Sequence, residues 1–341
     1  MQDISKSVRA RLVRRSLLPQ ILLRWYAIVG VYFGIIGIFG LLRLAGGNEP
    51  DLLHLGILRL RWYGVLIAGG VALASLLTVN LAERRGENSE HVWRLLPVVL
   101  VCSIVAARLW FVVFTWETYS QQPAKIIAIW EGGIAIQGGV LGGLVGGLLY
   151  ARWVKIKAWR WADFIAPGLV LAQGIGRWGN FMNNEAYGST TSLPWAIKIP
   201  CQFRTDGHPG TIDTRCTTPG QPGAEATFHP TFLYESLWDY GCFLVLLWFA
   251  LHPGSSWLER KLGWRRKDGD LFLLYWVIYS AGRFFTEGLR TDSLTYAGLR
   301  TAQVTAVAAI VICGGWLIWR HRHNHKQAGT GEAEASPTPT I

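Results

Sequence analysis

The apolar stretch PGLVLAQGI, residues 167–175, runs directly into the polar stretch GRWGNFMNNEAYG, residues 176–188. In a water-soluble protein, Arg177 would be an ordinary surface residue. The composition argues against that reading, because 51% of the chain is hydrophobic. Only 16% of the residues are charged, whereas average soluble domains are about 25% charged. The stretch is therefore predicted to end a membrane-spanning helix whose last turns carry polar side chains.

Similar apolar runs recur along the chain, and about 20 residues suffice to cross a bilayer. They lie near 23–45, 62–82, 93–115, 133–151, 161–178, 231–251, 270–288 and 301–319. The first run is longer than the apolar core of a signal peptide and lacks a small-residue cleavage site, so we interpret it as an uncleaved helix. The sequence predicts an all-α fold, a polytopic integral membrane helical bundle of about eight transmembrane helices.

The basic residues predict the orientation of this bundle. The net charge is +11, but the Lys and Arg residues lie between apolar runs, which favours membrane orientation over nucleic-acid binding. Segments 1–20, 83–94, 152–160, 253–268 and 320–341 hold 20 of the 33 Lys and Arg residues. The positive-inside rule then puts both termini in the cytoplasm. The predicted domains are a basic N-terminus with an extra helix (1–56), a membrane domain (57–320) with an extracytoplasmic head at about 179–230, and a disordered cytoplasmic tail (321–341).

Two smaller features concern packing and redox chemistry. Gly138, Gly142 and Gly146 lie four residues apart and predict a close helix–helix contact, which is compatible with room for a lipid chain. Cys201 and Cys216 share one polar loop. If that loop is outside the cell they can form a disulfide, and two free thiols remain the alternative.

Arg177 is the first candidate functional residue. An arginine inside a spanning segment costs roughly 2.5–3.5 kcal/mol on insertion scales, so it usually faces a protein interior or a watery cavity. Asn180 and Glu185 follow it, among glycines that let the backbone approach a ligand. The alternative is that Arg177 extends to the outer headgroups from the end of its helix.

A second cluster lies in YSAGRFFTEGLRTDS, residues 279–293. Arg283, Glu287 and Arg290 share one helical face, and a structural ion pair between the first two would explain them. The alternative is a phosphate site. Arginines of this cluster and Arg177 of the stretch 176–188 are predicted to lie at the same membrane face, and the guanidinium fork matches phosphate oxygens. A third stretch, HPTFLYES at 229–236, contains Tyr234 and Glu235; a glutamate early in a helix is readily explained by the helix dipole.

These motifs together resemble those of a known family. GRWGNFMNNEAYG is similar to the signature of bacterial prolipoprotein diacylglyceryl transferases, which read like G-R-x-G-N-F-x-N-x-E-x-x-G. The family's other motifs follow in its order: RWYG at 61–64, WEGGIAIQGG at 130–139, DFIAP at 163–167, HPTFLYE at 229–235 and GRFFTEGLR at 282–290. The resemblance covers roughly residues 57–320.

The resemblance implies a multi-pass transferase of the bacterial cytoplasmic (inner) membrane. Such an enzyme moves the diacylglyceryl group of phosphatidylglycerol to the thiol of a lipobox cysteine in a prolipoprotein signal peptide. A thioether forms and glycerol 1-phosphate leaves. This is the first step of bacterial lipoprotein maturation. The partners implied are phosphatidylglycerol, prolipoproteins and the lipid bilayer, without nucleic acid, cofactor or metal.

Site residues follow from the motifs. The expected catalytic residues are Arg177, Arg283, Glu287 and Gln137. The expected lipid- and phosphate-binding residues are Arg177, Asn180, Glu185, Tyr234 and Arg290. Members of the family often have His where this chain has Gln137, and Gln cannot take up a proton at physiological pH. The base is then Glu185, Glu287 or His229, or none is needed, and we expect Gln137 to hydrogen-bond the headgroup.

Two other function classes compete with a transferase. Intramembrane arginines and glycine-interrupted helices also occur in anion or lipid transporters, although the chain has no second copy of the signature. A non-catalytic lipid-binding relative is the other alternative, and Gln137 is its main support.

Overall fold

The computed structural model describes residues 34, 51–55, 58–204, 226–252, 266–291, 295–296 and 299–333. The chain divides into two units, Met1–Arg61 and Trp62–Ile341. In the first unit, strands β1 (Asp51–Leu55) and β2 (Leu58–Arg61) form an antiparallel pair. The helix predicted at 23–45 lies outside the described residues, except for residue 34, which is helical.

The second unit is built from long helices. They are α1 (Trp62–Arg84), α2 (Glu90–Phe114), the short α3 (Trp116–Gln121), α4 (Ile136–Val154), α5 (Ala158–Met182), α6 (Thr231–Leu251), α7 (Asp270–Glu287) and α8 (Thr301–Ala333). Each apolar run predicted from residue 62 onward corresponds to one of the long helices. Helix α8 continues past the run at 301–319 into the segment predicted as a disordered tail.

The connections contain short strands that the all-α prediction lacks. Strands β3 (Ile197–Lys198) and β4 (Thr227–Phe228) pair antiparallel, as do β5 (Thr295–Tyr296) and β6 (Leu299–Arg300). Two-residue pairs of this kind satisfy backbone groups where the chain reverses between helices. The described part of the fold is therefore mostly helical, and the strands are confined to connections.

Helix α5, which ends in the polar signature, lies at the centre of the second unit. It packs against α1, α6 and α7, while α2 packs against α4 and α7 against α8. The core between α5, α6 and α7 includes the fully buried Val170, Ile175, Leu246, Leu273 and Tyr275. The signature residues are thus carried by the helix with most helical neighbours.

Large apolar side chains also cover outward-facing surfaces, among them Val113, Leu149, Val311 and Trp319. Exposed apolar surface of this extent is typical of a protein that contacts lipid. In the described part of the chain, Trp62–Arg84, Glu90–Phe114 and Thr301–Arg322 are long and apolar enough to cross a membrane. These observations identify a helical membrane protein.

The glycine face of α4 makes the close contact that its spacing predicts. Gly138, Gly142 and Gly146 are buried against α2. A Cβ on Gly142 would lie 2.5 Å from the Cβ of Ala106, closer than real Cβ atoms approach. Gly147, one residue beyond this face, has nothing within 4 Å of a Cβ. The packing interpretation of the glycines is confirmed.

A buried arginine of α2 holds the connection to α4. Arg108 is only 5% exposed and donates to backbone carbonyls along that connection. Its Nη2 lies 2.5 Å from the Lys125 oxygen, and its Nη1 lies 2.6 Å and 2.8 Å from the oxygens of Gly132 and Gly133. A guanidinium presents five N–H donors in a fixed fork, so one side chain can satisfy several carbonyls. Arg108 thereby fixes the segment that leads into Gln137.

At the opposite end of the unit, α5 supports the start of α7. The carboxylate of Asp163 accepts hydrogen bonds from the backbone N–H groups of Gly269 (2.8 Å) and Phe272 (3.0 Å). Free N–H groups at a helix start need such acceptors, and a negative charge there favours the helix dipole. This contact gives the DFIAP motif a structural role far from the arginines.

Candidate active site

Arginines from different parts of the chain converge on one carboxylate, that of Glu235 in α6. Arg177 Nε of α5 lies 2.9 Å from Glu235 Oε2. Arg283 of α7 contacts Oε1, and Arg290, just beyond α7, has Nη1 3.8 Å from the same oxygen. Thr286 donates its hydroxyl to Oε1 at 3.1 Å. Glu235 is 5% exposed, so its charge is balanced within the protein.

A second carboxylate extends this cluster along α7. Arg283 Nη2 lies 2.6 Å from Glu287 Oε2, one helical turn away, and Glu287 is buried. Arg300 donates to the Glu287 backbone carbonyl. The ion pair proposed from the sequence is therefore present. It is also joined to the Arg177 side of the cluster, because Arg283 touches both carboxylates.

Arg177 faces the protein interior. Its side chain is 18% exposed, and its Nη2 donates to the Tyr279 hydroxyl at 3.3 Å. The alternative, in which Arg177 extends to the outer headgroups, is not the arrangement in this structure. Next to it, a Cβ on Gly179 would overlap the ring of Tyr63, so Gly179 lets α1 pack at the level of the arginine.

Small residues let the three helices of the cluster approach each other. A Cβ on Gly174 would lie 3.1 Å from the Asp239 Cβ, and one on Gly282 would overlap the Trp238 ring. Trp238 donates from Nε1 to the Ile278 carbonyl at 2.8 Å, which ties α6 to α7. These contacts fix the distance across which the arginines reach Glu235.

The polar end of the signature is tied by its backbone to the other two motifs. Gly188 N donates to the His229 carbonyl at 2.9 Å, and Ser189 N donates to the Leu289 carbonyl at 2.9 Å. A Cβ on Gly188 would lie 2.7 Å from the His229 Cβ. Thr231 donates its hydroxyl to the Ala186 carbonyl. The three motifs, which are far apart in the sequence, therefore lie in contact at this end of the bundle.

Asn180, Glu185 and Tyr234 are the other residues predicted to bind the lipid. Asn180 is half-buried one turn beyond Arg177, and Glu185 is exposed and accepts from Asn183 Nδ2 at 3.3 Å. The Tyr234 hydroxyl accepts from Trp195 Nε1 at 2.9 Å.

His229, a candidate base, and Gln137, which is expected to hydrogen-bond the headgroup, are two further residues of the predicted site. His229 Nδ1 lies 3.2 Å from the Tyr234 hydroxyl, so this pair forms its own contact. Gln137 is exposed in the first turn of α4, at the same end of the bundle as the arginines. No contact among the described residues brings Gln137 to the arginine cluster.

Glu235 is the central residue that the sequence interpretation missed. Its position near a helix start suggested a role toward the helix dipole, but it lies in the second turn and binds arginines instead. Asp239, one turn further along α6, is buried in the same region and is a charged residue inside the apolar run at 231–251. The available signal was the i, i+4 pair of acids inside that run, which matches an arginine on each neighbouring helix.

The predicted disulfide is described at one end only. Cys201 is disulfide-bonded, and Cys216 lies outside the described residues. Cys102, Cys242 and Cys313 are free thiols on apolar helices.

Comparison with known proteins agrees with the motifs. A family described as prolipoprotein diacylglyceryl transferase matches residues 50–319. Relatives named phosphatidylglycerol–prolipoprotein diacylglyceryl transferase include one from Trichormus variabilis, 41% identical over 79% of this chain and 89% of its own length. One from Thermosynechococcus vestitus is 42% identical over 79% of this chain and 91% of its own. One from Listeria monocytogenes is 39% identical over 80% of this chain and 90% of its own length.

Proposed function

The chain belongs to the prolipoprotein diacylglyceryl transferase family, and on that premise we propose which of its residues perform the reaction. The protein is a membrane transferase that moves the diacylglyceryl group of phosphatidylglycerol to a prolipoprotein. We assign binding of the lipid phosphate to Arg177, Arg283 and Arg290. The observation that carries this assignment is their convergence on the buried Glu235.

The chemistry of the substrate fits this cluster. A phosphodiester is an anion, and guanidinium groups bind phosphate oxygens with paired N–H donors. Within the apolar bundle such contacts are screened less than in water. Glu235 holds Arg177 and Arg283 in place before the lipid arrives, while Glu287 holds Arg283 from the other side. Prepositioned donors stabilise the charge that develops on a leaving phosphate.

The reaction balances with one thiol and one lipid. The cysteine thiol of the prolipoprotein, which we assign to a lipobox sequence, loses its proton and its sulfur attacks the glycerol carbon that carries the phosphate. A carbon–sulfur bond forms, and the carbon–oxygen bond to phosphate breaks. Glycerol 1-phosphate leaves with the electron pair. Nearby cations lower the pKa of a thiol from about 8.5, so the arginines assist both partners.

The polar residues beside the cluster have supporting roles in this proposal. Asn180 and Glu185 lie along the signature and bind the glycerol hydroxyls of the headgroup, with Tyr234 at the outer edge. Gln137 lies at the same end of the bundle, and its amide hydrogen-bonds the headgroup. It offers both donors and an acceptor for that purpose, but no titratable proton.

We also propose the full membrane arrangement. The protein crosses the bacterial cytoplasmic membrane eight times, with both termini in the cytoplasm and a small extracytoplasmic head at about 179–230. Helices α5, α6 and α7 carry the charged residues of the site, while α1, α2 and residues 301–322 are the described helices long and apolar enough to cross a membrane. Reporter fusions at residue 341 test the orientation, and an extracytoplasmic C-terminus contradicts the eight-helix arrangement.

Transfer is measured directly with the purified full-length protein, phosphatidylglycerol vesicles and a lipobox peptide. The peptide is expected to gain the mass of one diacylglyceryl group. That gain should disappear with a Cys→Ala peptide and with the Arg177→Ala protein. Folded protein that binds the lipid without transferring it would identify a non-catalytic relative instead. Full activity of Arg177→Ala would contradict the proposal that this cluster binds the lipid phosphate.

A further inference from the structure

Asp239 is a buried carboxylate of α6 that the reaction above does not use. It lies one helical turn from Glu235 and is 2% exposed. Among the described residues, its Oδ2 has no hydrogen-bond partner. Burying a charged or polar group without a partner is costly, so such a group points to an ordered water, strain or a chemical role. Asp239 therefore needs an explanation beyond packing.

Asp239 shares a small cavity with the arginine cluster. The cavity has a volume of about 10 Å³, and its lining includes Asp239, Arg177, Glu235, Tyr279 and Arg283. That volume is close to the lower limit for holding one water molecule, which needs about 10–15 Å³ and polar partners. The carboxylate, the guanidinium groups and the phenol supply those partners. One water there would connect Asp239 to the site where the lipid phosphate binds.

The charged and titratable groups around Asp239 come from each helix that packs against it. Arg177 faces it from α5 and Arg283 from α7, and both attract a negative carboxylate. The others are Tyr275 and Tyr279 on α7 and Glu235, Tyr240 and Cys242 on its own helix. Asp239 is thus a carboxylate beside two fixed cations, and it is not committed to an ion pair with either of them.

We propose that Asp239 is the proton acceptor of the transfer reaction. This proposal rests on the proposed function. It fits the sequence of this chain, because Gln137 cannot take up a proton. The thiol proton of the cysteine moves through one water to Asp239 Oδ2. The sulfur then bonds to the glycerol carbon while the carbon–oxygen bond to phosphate breaks. Asp239 afterwards returns the proton through the water to the departing phosphate.

The test compares Asp239→Asn with the wild type across pH, using the full chain, phosphatidylglycerol vesicles and a lipobox peptide. General-base catalysis contributes about 10²–10⁴-fold, so the turnover of the variant should fall by that factor at neutral pH. Its rate should climb as pH rises toward the intrinsic thiol pKa of about 8.5, because the thiol then ionises unaided. Asp239→Glu keeps a carboxylate and should stay much closer to the wild type.

A selenocysteine peptide separates proton transfer from positioning. A selenol is already ionised at neutral pH, so it needs no acceptor. Asp239→Asn should therefore recover most of the wild-type rate on the selenol peptide while remaining slow on the thiol peptide. Asp239→Ser is a second neutral variant, for use if the Asp239→Asn protein does not fold. Asp163→Asn is the matched control, since it removes a buried carboxylate of a neighbouring helix and should lower thermal stability without changing the pH profile.

Each outcome decides the assignment. Equal losses on both peptides would make Asp239 a structural residue, and an unchanged rate on the thiol peptide would exclude it as the acceptor. A wild-type protein that modifies neither peptide would overturn the proposed function together with this inference. A wild type that is active beside an unimpaired Asp239→Asn overturns this inference alone.

Discussion

Replacing Glu235 with Gln tests the arrangement on which the site depends. Gln has nearly the same shape and can still accept from Thr286 at 3.1 Å, but it removes the negative charge. Arg177, Arg283 and Arg290 would then face one another around a neutral side chain. The variant therefore separates the charge of Glu235 from its volume.

The size of the effect follows from burial. At an effective dielectric constant of about 20, one ion pair at about 4 Å gains about 4 kcal/mol before the cost of desolvation. Removing one partner of a buried pair costs about 3–5 kcal/mol, because the remaining charge stays buried and uncompensated. With an unfolding entropy of about 2.1 cal/mol/K per residue, each kcal/mol lowers the Tm of a 341-residue chain by about 1.4 °C, so the expected fall in apparent Tm is roughly 4–7 °C. We expect a decrease in this range for Glu235→Gln in zwitterionic micelles.

Thermal unfolding with and without phosphatidylglycerol provides the assay. The lipid phosphate replaces the missing negative charge, so its stabilising effect should be larger for Glu235→Gln than for the wild type. Turnover should fall, because Arg177 loses its carboxylate partner and Arg283 is then held by Glu287 alone. Glu90→Gln is the control, since Glu90 pairs with Arg94 in an exposed contact and such pairs contribute about 0.3–0.5 kcal/mol. If Glu235→Gln unfolds at the same temperature as this control, the arginines do not depend on Glu235.

Three further predictions concern other parts of the unit. Arg108→Lys should expose the backbone that the guanidinium holds, so limited trypsin digestion should cleave after Lys125 faster than in the wild type; an unchanged cleavage rate would contradict the role of the fork. Gly142→Leu should lower the free energy of unfolding by about 1–3 kcal/mol through overpacking, whereas Gly147→Leu should leave it unchanged because the space there is open. Gln137→Ala should lower kcat/KM roughly two- to tenfold, the equivalent of one hydrogen bond of about 0.5–1.5 kcal/mol, and full activity would exclude that bond.

The long helices are predictable from the sequence because each depends on a local property. An apolar run of about 20 residues is long enough to cross a bilayer as a helix, and the runs at 62–82 and 231–251 are found as α1 and α6. The spacing of Gly138, Gly142 and Gly146 likewise determines a packing face on its own helix. The short strands were not predicted, since two-residue pairs depend on which connections meet at the end of the bundle.

The site was predictable only in part, because its geometry arises between helices. Arg177 and Arg283 can be identified from the sequence, since arginines are rare in apolar runs. Their shared partner Glu235 cannot, because the helix dipole is a sufficient local explanation for it. Glu235 also lies 58 residues after Arg177 and 48 residues before Arg283. The observed contacts reverse that assessment: Glu235 touches arginines from α5 and α7, and Tyr234 beside it contacts Trp195.

Neighbouring residues of one motif therefore serve different parts of the molecule, and the helical period explains how. Successive positions on an α-helix are about 100° apart, so Tyr234 and Glu235 cannot share a face, whereas Glu235 and Asp239, four residues apart, do. The face with Glu235 and Asp239 looks toward α5 and α7, and both acids line the same cavity. The residues of α6 that act together are thus those one turn apart. Asp239, the proposed proton acceptor, accordingly lies on the same face as Glu235 and not next to it in the sequence.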